Sequence, residues 1–375
     1  MTVKVSVQRD RSIVVGPANS HNRMWPDLEP VAVIDPGEEV VLELRDGMDG
    51  QLTASGQADS LESIDLDANH PLTGPIEIRG ARPGDLLVVE PRRIDPDGFG
   101  ATAVIPGFGL LGDLFARPFL ARWQIEDGIA RSPDLPGVAI RGRPFLGCVA
   151  VAPSRELVAA AARREAALAH RGGTVRGPQP RSAVPAIEPY ASQALRTIPP
   201  RENGGNLDVP QVTTGSRLLL PVQVPGALLS AGDVHFAQGE GESCGTAIEV
   251  AATVTLTVSL RRANELRWRP HFPMVEYSEP VEAARPSCMT IGIPLTDEGE
   301  NGDLDLTLAA RRALLEMLGW LQAERGMTRE QAYVLASVAA DLRVAEAVNV
   351  PNGIVTCRLP LDVFEAEGRP APAPA

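Results

Sequence analysis

The stretch Ala247–Leu260, AIEVAATVTLTVSL, alternates polar and apolar side chains over its second half. Threonine or serine stands at every second position from Thr253 to Ser259, and valine or leucine stands between them. Because successive side chains of a β-strand point to opposite faces, this pattern predicts a strand with one buried and one polar face. Ser216–Val224 has similar strand character, so the sequence predicts β-sheet in this region.

Upstream, the first 150 residues predict a β-rich structure. Turns such as Pro36-Gly37 and Pro83-Gly84 separate short apolar or alternating runs. These runs are Val31–Val33, Val40–Leu44, Ile76–Ile78 and Leu86–Val89. Closely spaced strands with such turns favour a sandwich or barrel over β-α-β units. We therefore predict an α+β protein that is mainly β, with a jelly-roll-like β-sandwich core and flanking helices.

Capping residues bound the stretches with a helical pattern. The predicted helices are Ser154–His170, Asp305–Arg325 and a third from Thr328 to about Asp341, and the predicted last strand is Ile354–Leu359. Composition then divides the chain into four parts. They are an N-terminal β-rich domain (1–171), a Gly-, Pro- and Ser-rich loop or linker (172–200), a sandwich portion with candidate catalytic loops and C-terminal helices (201–367), and a disordered tail (368–375).

The overall composition excludes several classes of function. A net charge of −13 argues against a nucleic-acid or anionic-membrane surface. No apolar run reaches the roughly 18 residues that a membrane span needs, and Met1–Asp10 lacks the layout of a signal peptide. We therefore expect a cytoplasmic chain without nucleic-acid or membrane partners. Its four widely spaced cysteines are expected to be free thiols.

Residues that chemistry uses are concentrated between Arg201 and Glu249. Asp233 and His235 are two positions apart, so on a strand they would share one face, as two ligands of one metal ion do. Gly239 and Gly241 in Gln238-Gly-Glu-Gly-Glu allow a sharply bent turn that carries Glu240 and Glu242. A carboxylate held there, close to a metal ion, can serve as a general base.

Each of these features also has a structural interpretation. A Gly-Asp pair is usually a turn, and a single strand histidine is usually a packing residue, which is our interpretation of His170 and His271. A second polar cluster lies upstream, where Asp65, Asp67 and Asn69 alternate and could share a face just before a further histidine, His70. The larger cluster is harder to explain by structure alone because seven acids and imidazoles fall within 48 residues. They are Glu202, Asp208, Asp233, His235, Glu240, Glu242 and Glu249.

Six blocks of residues, spread over nearly the whole chain, carry a family resemblance. The blocks are His21-Asn22-Arg23 with Trp25, His70 with Gly74-Pro75, Gly80–Leu87, Pro199–Asn206 with Asp208, Gly232–Glu242, and Cys244–Glu249. In this order they resemble the acetamidase/formamidase family, and the Gly-Asp-x-His…Gln-Gly-x-Gly-Glu block is the most specific of them. The resemblance implies a β-sandwich-containing α+β fold, hydrolysis of short amides such as formamide and acetamide, and a homo-oligomer (dimer or higher). Some relatives look like lactam hydrolases and zinc binders.

Two positions depart from the family pattern. Formamidase-like members tend to carry His where this chain has Asn203, and Asp where it has Glu240. The segment 99–109 also carries fewer aromatic residues than the resemblance implies. These changes predict a pocket that differs from a formamidase pocket, and they motivate a cyclic or bulkier, lactam-like amide as an alternative substrate.

The residue inventory narrows the mechanism. Only one lysine is present, Lys4, so amidase sites built on a Glu-Lys-Cys or Ser-Ser-Lys set are excluded. A Ser-His-Asp set using Ser230 or Ser243, and a Cys244 thiol paired with His235, stay open. Water activated by a divalent metal ion fits best, because such an ion lowers the pKa of water to about 7 and polarises the amide carbonyl. Oxygen ligands with an imidazole suit zinc.

The resulting hypothesis assigns a role to each candidate residue. Predicted metal ligands are Asp208, Asp233, His235 and, as a further ligand, His70; predicted catalytic residues are Glu242, as general base, and His235; predicted substrate-binding residues are Asn206, Gln238 and Glu249. A small amide is the expected substrate. The alternative of another class is a non-catalytic metal- or carbohydrate-binding β-sandwich, which would explain the acids and strands without turnover.

Overall fold

Strands predominate over helices in the computed structural model, which describes residues 2–278 and 285–365. The strands are β1 (Val3–Val5), β2 (Ser20–His21), β3 (Arg23–Met24), β4 (Ala32–Ile34), β5 (Glu39–Leu44), β6 (Leu72–Ile78), β7 (Leu86–Val104), β8 (Phe119–Glu126), β9 (Ile129–Arg131), β10 (Ala139–Arg141), β11 (Phe145–Ala150), β12 (Leu195–Arg196), β13 (Gly204–Asn206), β14 (Arg217–Pro221), β15 (Leu229–His235), β16 (Glu249–Arg261), β17 (Met274–Glu276), β18 (Ser287–Gly292), β19 (Asp341–Glu346) and β20 (Ile354–Pro360). The helices are α1 (Arg155–His170), α2 (Tyr190–Gln193), α3 (Leu306–Arg325) and α4 (Arg329–Ala339), with short 3₁₀ turns at Ala58–Ser63, Gly112–Leu114 and Leu361–Val363. The α+β, mainly β class is therefore confirmed.

The alternating stretch forms β16, which runs through the middle of the fold between β5 and β7. Val254, Leu256 and Val258 are fully buried, whereas the threonines between them are half-buried. The predicted two-faced strand is confirmed. Its apolar side chains belong to the largest hydrophobic cluster of the molecule, which fixes β16 and its neighbours rigidly against one another.

Most strands join one large sheet of 15 strands, in which β15 pairs antiparallel with β6, β11 and β16. A separate antiparallel sheet has the order β18-β20-β19. Strands from residues 1–171 pair with strands from residues 201–367, for example β7 with β16 and β11 with β13. The jelly-roll arrangement and the division into domains stay predictions, and the tail 368–375 lies outside the described residues.

The three predicted helices are confirmed, and their caps explain why. Ser154 Oγ accepts a hydrogen bond from Leu157 N, and the Asp305 carboxylate caps α3 in the same way. Thr328 and Gln331 form the predicted capping box of α4. This helix ends at Ala339, two positions before the predicted end, because β19 begins at Asp341. Within the described residues, no helix combines the length and the apolar character needed to cross a membrane.

Candidate metal centre

Asp233 and His235 lie at the end of β15, where the strand is enclosed on both sides. His235 stands opposite Phe145 on β11 and opposite Glu249 on β16. The Phe145 ring packs edge-on against the imidazole at a centroid distance of 5.0 Å. Both site residues are buried, with 2% of Asp233 and 1% of His235 exposed to solvent. The large sheet therefore holds the imidazole in one orientation.

Carboxylate oxygens converge on Nε2 of His235. This nitrogen lies 3.4 Å from Glu249 Oε2, 3.5 Å from Asp233 Oδ1 and 4.0 Å from Asp208 Oδ1. Two ligands at about 2.1 Å from one tetrahedral ion are separated by about 3.4 Å. The observed separations are therefore close to those of ligands that share an ion.

Two overlapping groups of side chains have this geometry. Asp208, Asp233 and His235 form one, and His235, Glu242 and Glu249 form the other. In each group the ligand atoms all lie within 4.8 Å of one another. The segments that carry these residues are thus brought together around the single imidazole of His235.

Several buried polar atoms at this centre have no hydrogen-bond partner among residues 2–278 and 285–365. They are Asp208 Oδ1, Glu249 Oε2, Asn206 Oδ1 and His70 Nδ1. Buried polar atoms are almost always hydrogen-bonded, so a cluster of unsatisfied ones requires an explanation. A cation would satisfy the carboxylate oxygens together, and the oxygen-rich donor set with one imidazole fits a divalent ion.

Two glycines that the sequence analysis did not single out make room for the carboxylates. A Cβ added to Gly47 would lie 1.9 Å from Asp233 Oδ1. A Cβ added to Gly147 would lie 2.7 Å from Asp208 Oδ1 and 3.0 Å from Asp233 Oδ2. Both glycines are distant from these residues in the sequence, so no local pattern reveals the contacts. Any side chain at either position would displace a candidate ligand.

Burial and mutual charge shift the pKa values of these groups in opposite directions. Burial raises the pKa of Asp208 to about 8, and the Asp233 carboxylate contributes to that rise against the charge of His235. Burial likewise holds the pKa of Glu242 well above its usual value, with Asp208 as the next cause. Burial opposes ionisation of Asp233 and His235 too, but their neighbours outweigh it. His70 and His235 lower the pKa of Asp233, whereas Glu249 and Asp233 raise that of His235.

Gln238, which was predicted to bind substrate, has its amide against two of the candidate ligands, and its role toward substrate stays a prediction. Gln238 Oε1 lies 2.7 Å from His235 Nδ1, and Nε2 donates to the backbone oxygen of Asp208 at 2.9 Å. Because an amide oxygen can only accept, Nδ1 carries a proton in the charged and in the neutral ring, so the neutral ring that binds a metal ion has its lone pair on Nε2. The lone pair of Nε2 then faces the carboxylates, as a metal ligand requires.

The upstream cluster is only partly brought to this centre. His70 Nδ1 lies 3.9 Å from Asp233 Oδ2, which is close enough for both to approach one ion. Asn206, on β13, stands opposite Cys148 of β11. Asp65 and Asp67 instead contact Ser182 and an arginine, as their hydrogen bonds show.

Two of the three nucleophiles that stayed open in the sequence have other contacts, whereas the third, Ser243, is buried and its Oγ has no hydrogen-bond partner among the described residues. Ser230 Oγ bonds to Nε2 of His21 at 2.8 Å, not to His235. Cys244 Sγ faces backbone oxygens of Ala103 and Thr246, and burial raises its pKa, which disfavours the thiolate that a nucleophile needs. The structure therefore gives no support to a nucleophile at Ser230 or at Cys244.

The two departures from the family pattern have structural contacts. Asn203 is buried, and its Nδ2 donates to the backbone oxygen of Val151 at 2.7 Å. Glu240 accepts from Arg343 Nε at 2.8 Å and from Gln211 Nε2 at 3.1 Å. Asn203 thus anchors a loop to the residue that follows β11, and Glu240 lines a neighbouring cavity.

Comparison with known proteins identifies the family. The pattern of the Acetamidase/Formamidase family matches residues 6–366. The chain belongs to this family. An acetamidase of Mycolicibacterium smegmatis is 34% identical over 89% of this chain and 88% of its own. A putative formamidase of Schizosaccharomyces pombe is also 34% identical, over 94% of this chain and 91% of its own.

A solved structure extends the comparison to the fold. The gamma lactamase from Delftia acidovorans superposes with a TM-score of 0.92 at 30% identity, covering 99% of this chain and 95% of its own. The prediction of an amidohydrolase acting on non-peptide C–N bonds is confirmed by membership of the acetamidase/formamidase family. The non-catalytic alternative is therefore not needed to explain the acid-rich centre.

Proposed function

We propose that this acetamidase/formamidase family member hydrolyses a short-chain amide, similar to formamide or acetamide, to a carboxylate and ammonia by metal-activated water. One observation carries the proposal: three carboxylates surround Nε2 of His235 at 3.4 to 4.0 Å, and two of them have a buried oxygen without a partner among the described residues. A homo-oligomer and a cytoplasmic location stay predictions.

The ion would be held by Asp208, Asp233 and His235, with His70 as a further ligand. Oxygen and imidazole donors suit zinc or a similar divalent ion. When bound, such an ion lowers the pKa of water to about 7 and polarises the amide carbonyl. Gln238 keeps the imidazole in the tautomer that presents Nε2.

Glu242 is proposed to move the proton. It shares a group with His235 and Glu249, and it lies on the predicted bent turn, with φ of +40°. As a carboxylate it would take a proton from the attacking water, and as a carboxylic acid it would give that proton to the departing amine. Burial raises the pKa of Glu242, so this carboxyl holds the proton more firmly than an exposed one until the amine accepts it.

The size of a cavity beside Glu249 supports a small substrate. A cavity of about 130 Å³ opens onto Glu249 and is lined by Leu52, Phe99 and Ala101 beside Asp46. A water molecule takes about 30 Å³ in the liquid, so the cavity holds roughly four atoms of that size. Acetamide has four non-hydrogen atoms and fits this estimate.

A cyclic amide is the second candidate substrate. The similarity to the Delftia acidovorans gamma lactamase over 99% of this chain favours it. Both substrates would use the same centre, because each presents one carbonyl and one amide nitrogen. A γ-lactam carries six non-hydrogen atoms, so it would need more of the space around Glu249 than acetamide does.

The test is ammonia release from formamide, acetamide and butyramide, together with ring opening of 2-pyrrolidinone. We expect turnover by protein purified without chelator, loss after chelation, and recovery with zinc. Protein that stays fully active with no metal detectable by elemental analysis would reject the metal. No turnover of any amide would reject the proposed function.

The role of Glu242 has its own test. Glu242→Gln is expected to retain the metal and to lose at least about 100-fold in kcat, because a positioned acid-base group contributes roughly 10²- to 10⁴-fold. Glu62→Gln, the same change on an exposed residue, is the control. Unchanged turnover in Glu242→Gln would show that another group moves the proton.

A further inference from the structure

A second, larger cavity adjoins the candidate metal centre. It has a volume of about 380 Å³ and lies between the loops that follow Asp208 and His235 and the sheet formed by β18, β19 and β20. Gln238 lines this cavity, and the same side chain contacts His235 Nδ1 and Asp208 O. An occupant of the cavity would therefore touch the residue that positions two candidate ligands.

Arginine dominates the charged residues that line the cavity. The arginines are Arg141, Arg143, Arg285, Arg343 and Arg358, and the carboxylates are Glu240 and Asp341. The whole chain has the opposite balance, with a net charge of −13. A concentration of positive charge in a concave space on an acidic protein favours an anionic ligand.

The two carboxylates of the cavity are already engaged by its own arginines. Glu240 Oε2 accepts from Arg343 Nε at 2.8 Å, and its Oε1 accepts from Gln211 at 3.1 Å. Asp341 Oδ2 lies 3.4 Å from Arg343 and 3.6 Å from Arg358. Neither carboxylate makes an ion pair with Arg143.

Arg143 is the residue on which the inference depends. It is half-buried in the cavity wall, and its backbone nitrogen is fixed by a hydrogen bond of 3.0 Å to Phe236 O. Among the residues that the structure describes, its guanidinium makes no hydrogen bond or ion pair. A guanidinium stays charged and carries five donors in a planar fork that matches a carboxylate. The Arg143 nitrogens are accessible from the cavity, so an anion there can reach them.

We propose that this cavity is a binding site for a small carboxylate, with Arg143 as its main contact. Its volume lies within the range of about 300 to 1,000 Å³ that is typical of small-molecule sites. It is also larger than the space of about 130 Å³ at Glu249. Two sources of the ligand are chemically equivalent: the acid formed by hydrolysis, or a carboxylate borne by the amide substrate. The choice between them rests on the proposed function, whereas binding itself does not.

Calorimetric titration of the full chain with succinate and with acetate tests the binding, at constant ionic strength maintained with sodium chloride. We expect saturable binding of at least one carboxylate and no binding of neutral butyramide at this site. Arg143→Gln should weaken carboxylate binding about tenfold or more, since it removes a charge-assisted hydrogen bond. The carboxylate affinity of Arg143→Lys should lie between that of the parent and that of Arg143→Gln, because lysine keeps the positive charge but lacks the planar set of donors.

Arg163→Gln is the matched control, because Arg163 is an exposed arginine of α1 outside the cavity. It makes the same change in net charge and should bind carboxylates like the parent chain. The proposal is overturned if neither carboxylate binds saturably, if Arg143→Gln binds as tightly as the parent, or if Arg163→Gln weakens binding equally.

Kinetics then distinguish the two sources. If the substrate carries the carboxylate, the parent should prefer succinamic acid to butyramide in kcat/KM, and Arg143→Gln should reduce that preference about tenfold. If the ligand is the product acid, acetate should inhibit the parent, and Arg143→Gln should raise the inhibition constant without changing the preference. If neither effect appears, the link to turnover is overturned. If the chain binds a carboxylate but hydrolyses no amide, the proposed function is rejected. The proposed carboxylate site is still supported in that case.

Discussion

Two acid-rich segments of this chain have opposite electrostatic surroundings. Asp67 forms an ion pair of 2.9 Å with the buried Arg196, and Asp65 lies 3.7 Å from Arg181. Asp208 and Asp233 have only histidines as charged partners of opposite sign among the described residues. Arginines neutralise Asp65 and Asp67, whereas Asp208 and Asp233 have no arginine partner among the described residues and could bind a cation. This difference in partners, more than the density of acids, distinguishes a candidate metal centre from a structural ion pair.

The same substitution in the two clusters gives the largest expected effect. Asp233→Asn should remove a ligand that Gly47 and Gly147 make room for, and turnover should fall about a thousandfold or more with loss of bound metal. Elemental analysis and ammonia release measure the two effects. Asp67→Asn should keep metal and turnover but lower the free energy of unfolding by about 2 kcal/mol, because Arg196 loses its carboxylate partner. Equal effects of the two changes would contradict the comparison.

Gly47→Ala tests whether the space around the acids matters as much as their charge. The added methyl would lie 1.9 Å from Asp233 Oδ1, so the carboxylate must move, and we expect metal affinity to fall about 100-fold. A competition titration with a chromophoric chelator measures it. Gly98→Ala is the control, since its Cβ would meet nothing closer than the Ile125 backbone oxygen at 3.6 Å. Unchanged affinity in Gly47→Ala would show that the loop moves freely.

Gln238→Leu tests whether the tautomer of His235 matters for metal binding, because it changes no candidate ligand. The substitution leaves a side chain of comparable size and removes both hydrogen bonds, to His235 Nδ1 and to Asp208 O. We expect metal affinity to fall about 10- to 100-fold, which is typical when the partner of a ligating histidine is lost. Gln193→Leu, on an exposed position of α2, should have no effect. Metal binding as tight as in the parent chain would mean that the sheet alone orients the imidazole.

Local patterns predicted much of the fold. The alternation in β16 and the caps at Ser154 and Thr328 depend on neighbours within a few residues, and all three predictions are confirmed. Asp233 and His235 were predicted to share a face of one strand, and Asp233 Oδ1 does lie 3.5 Å from His235 Nε2, while their role as ligands stays a prediction. The family resemblance placed the amide chemistry correctly.

Contacts between distant segments could not be predicted in this way. Nothing near Gly47 in the sequence indicates that its backbone lies against Asp233, and the arginines around the 380 Å³ cavity come from separate segments. In the sequence, Asp65 and Asp67 have the same pattern as the acids between Arg201 and Glu249. Only their partners in the structure, Ser182 and Arg196, distinguish them. Such partners are determined by the register of the large sheet, which no short pattern specifies.

The smallest expected effect concerns substrate size at the metal centre. Leu52 and Leu61 belong to one buried cluster, but only Leu52 lines the cavity beside Glu249. Each Leu→Ala change should cost about 2 to 5 kcal/mol of stability, so folding damage is matched. Leu52→Ala alone should raise the kcat/KM of butyramide relative to acetamide, by about tenfold, since one or two methylenes in a pocket are worth 10-fold or more. If both variants changed the ratio alike, the cavity at Glu249 would not be the site where the acyl chain binds.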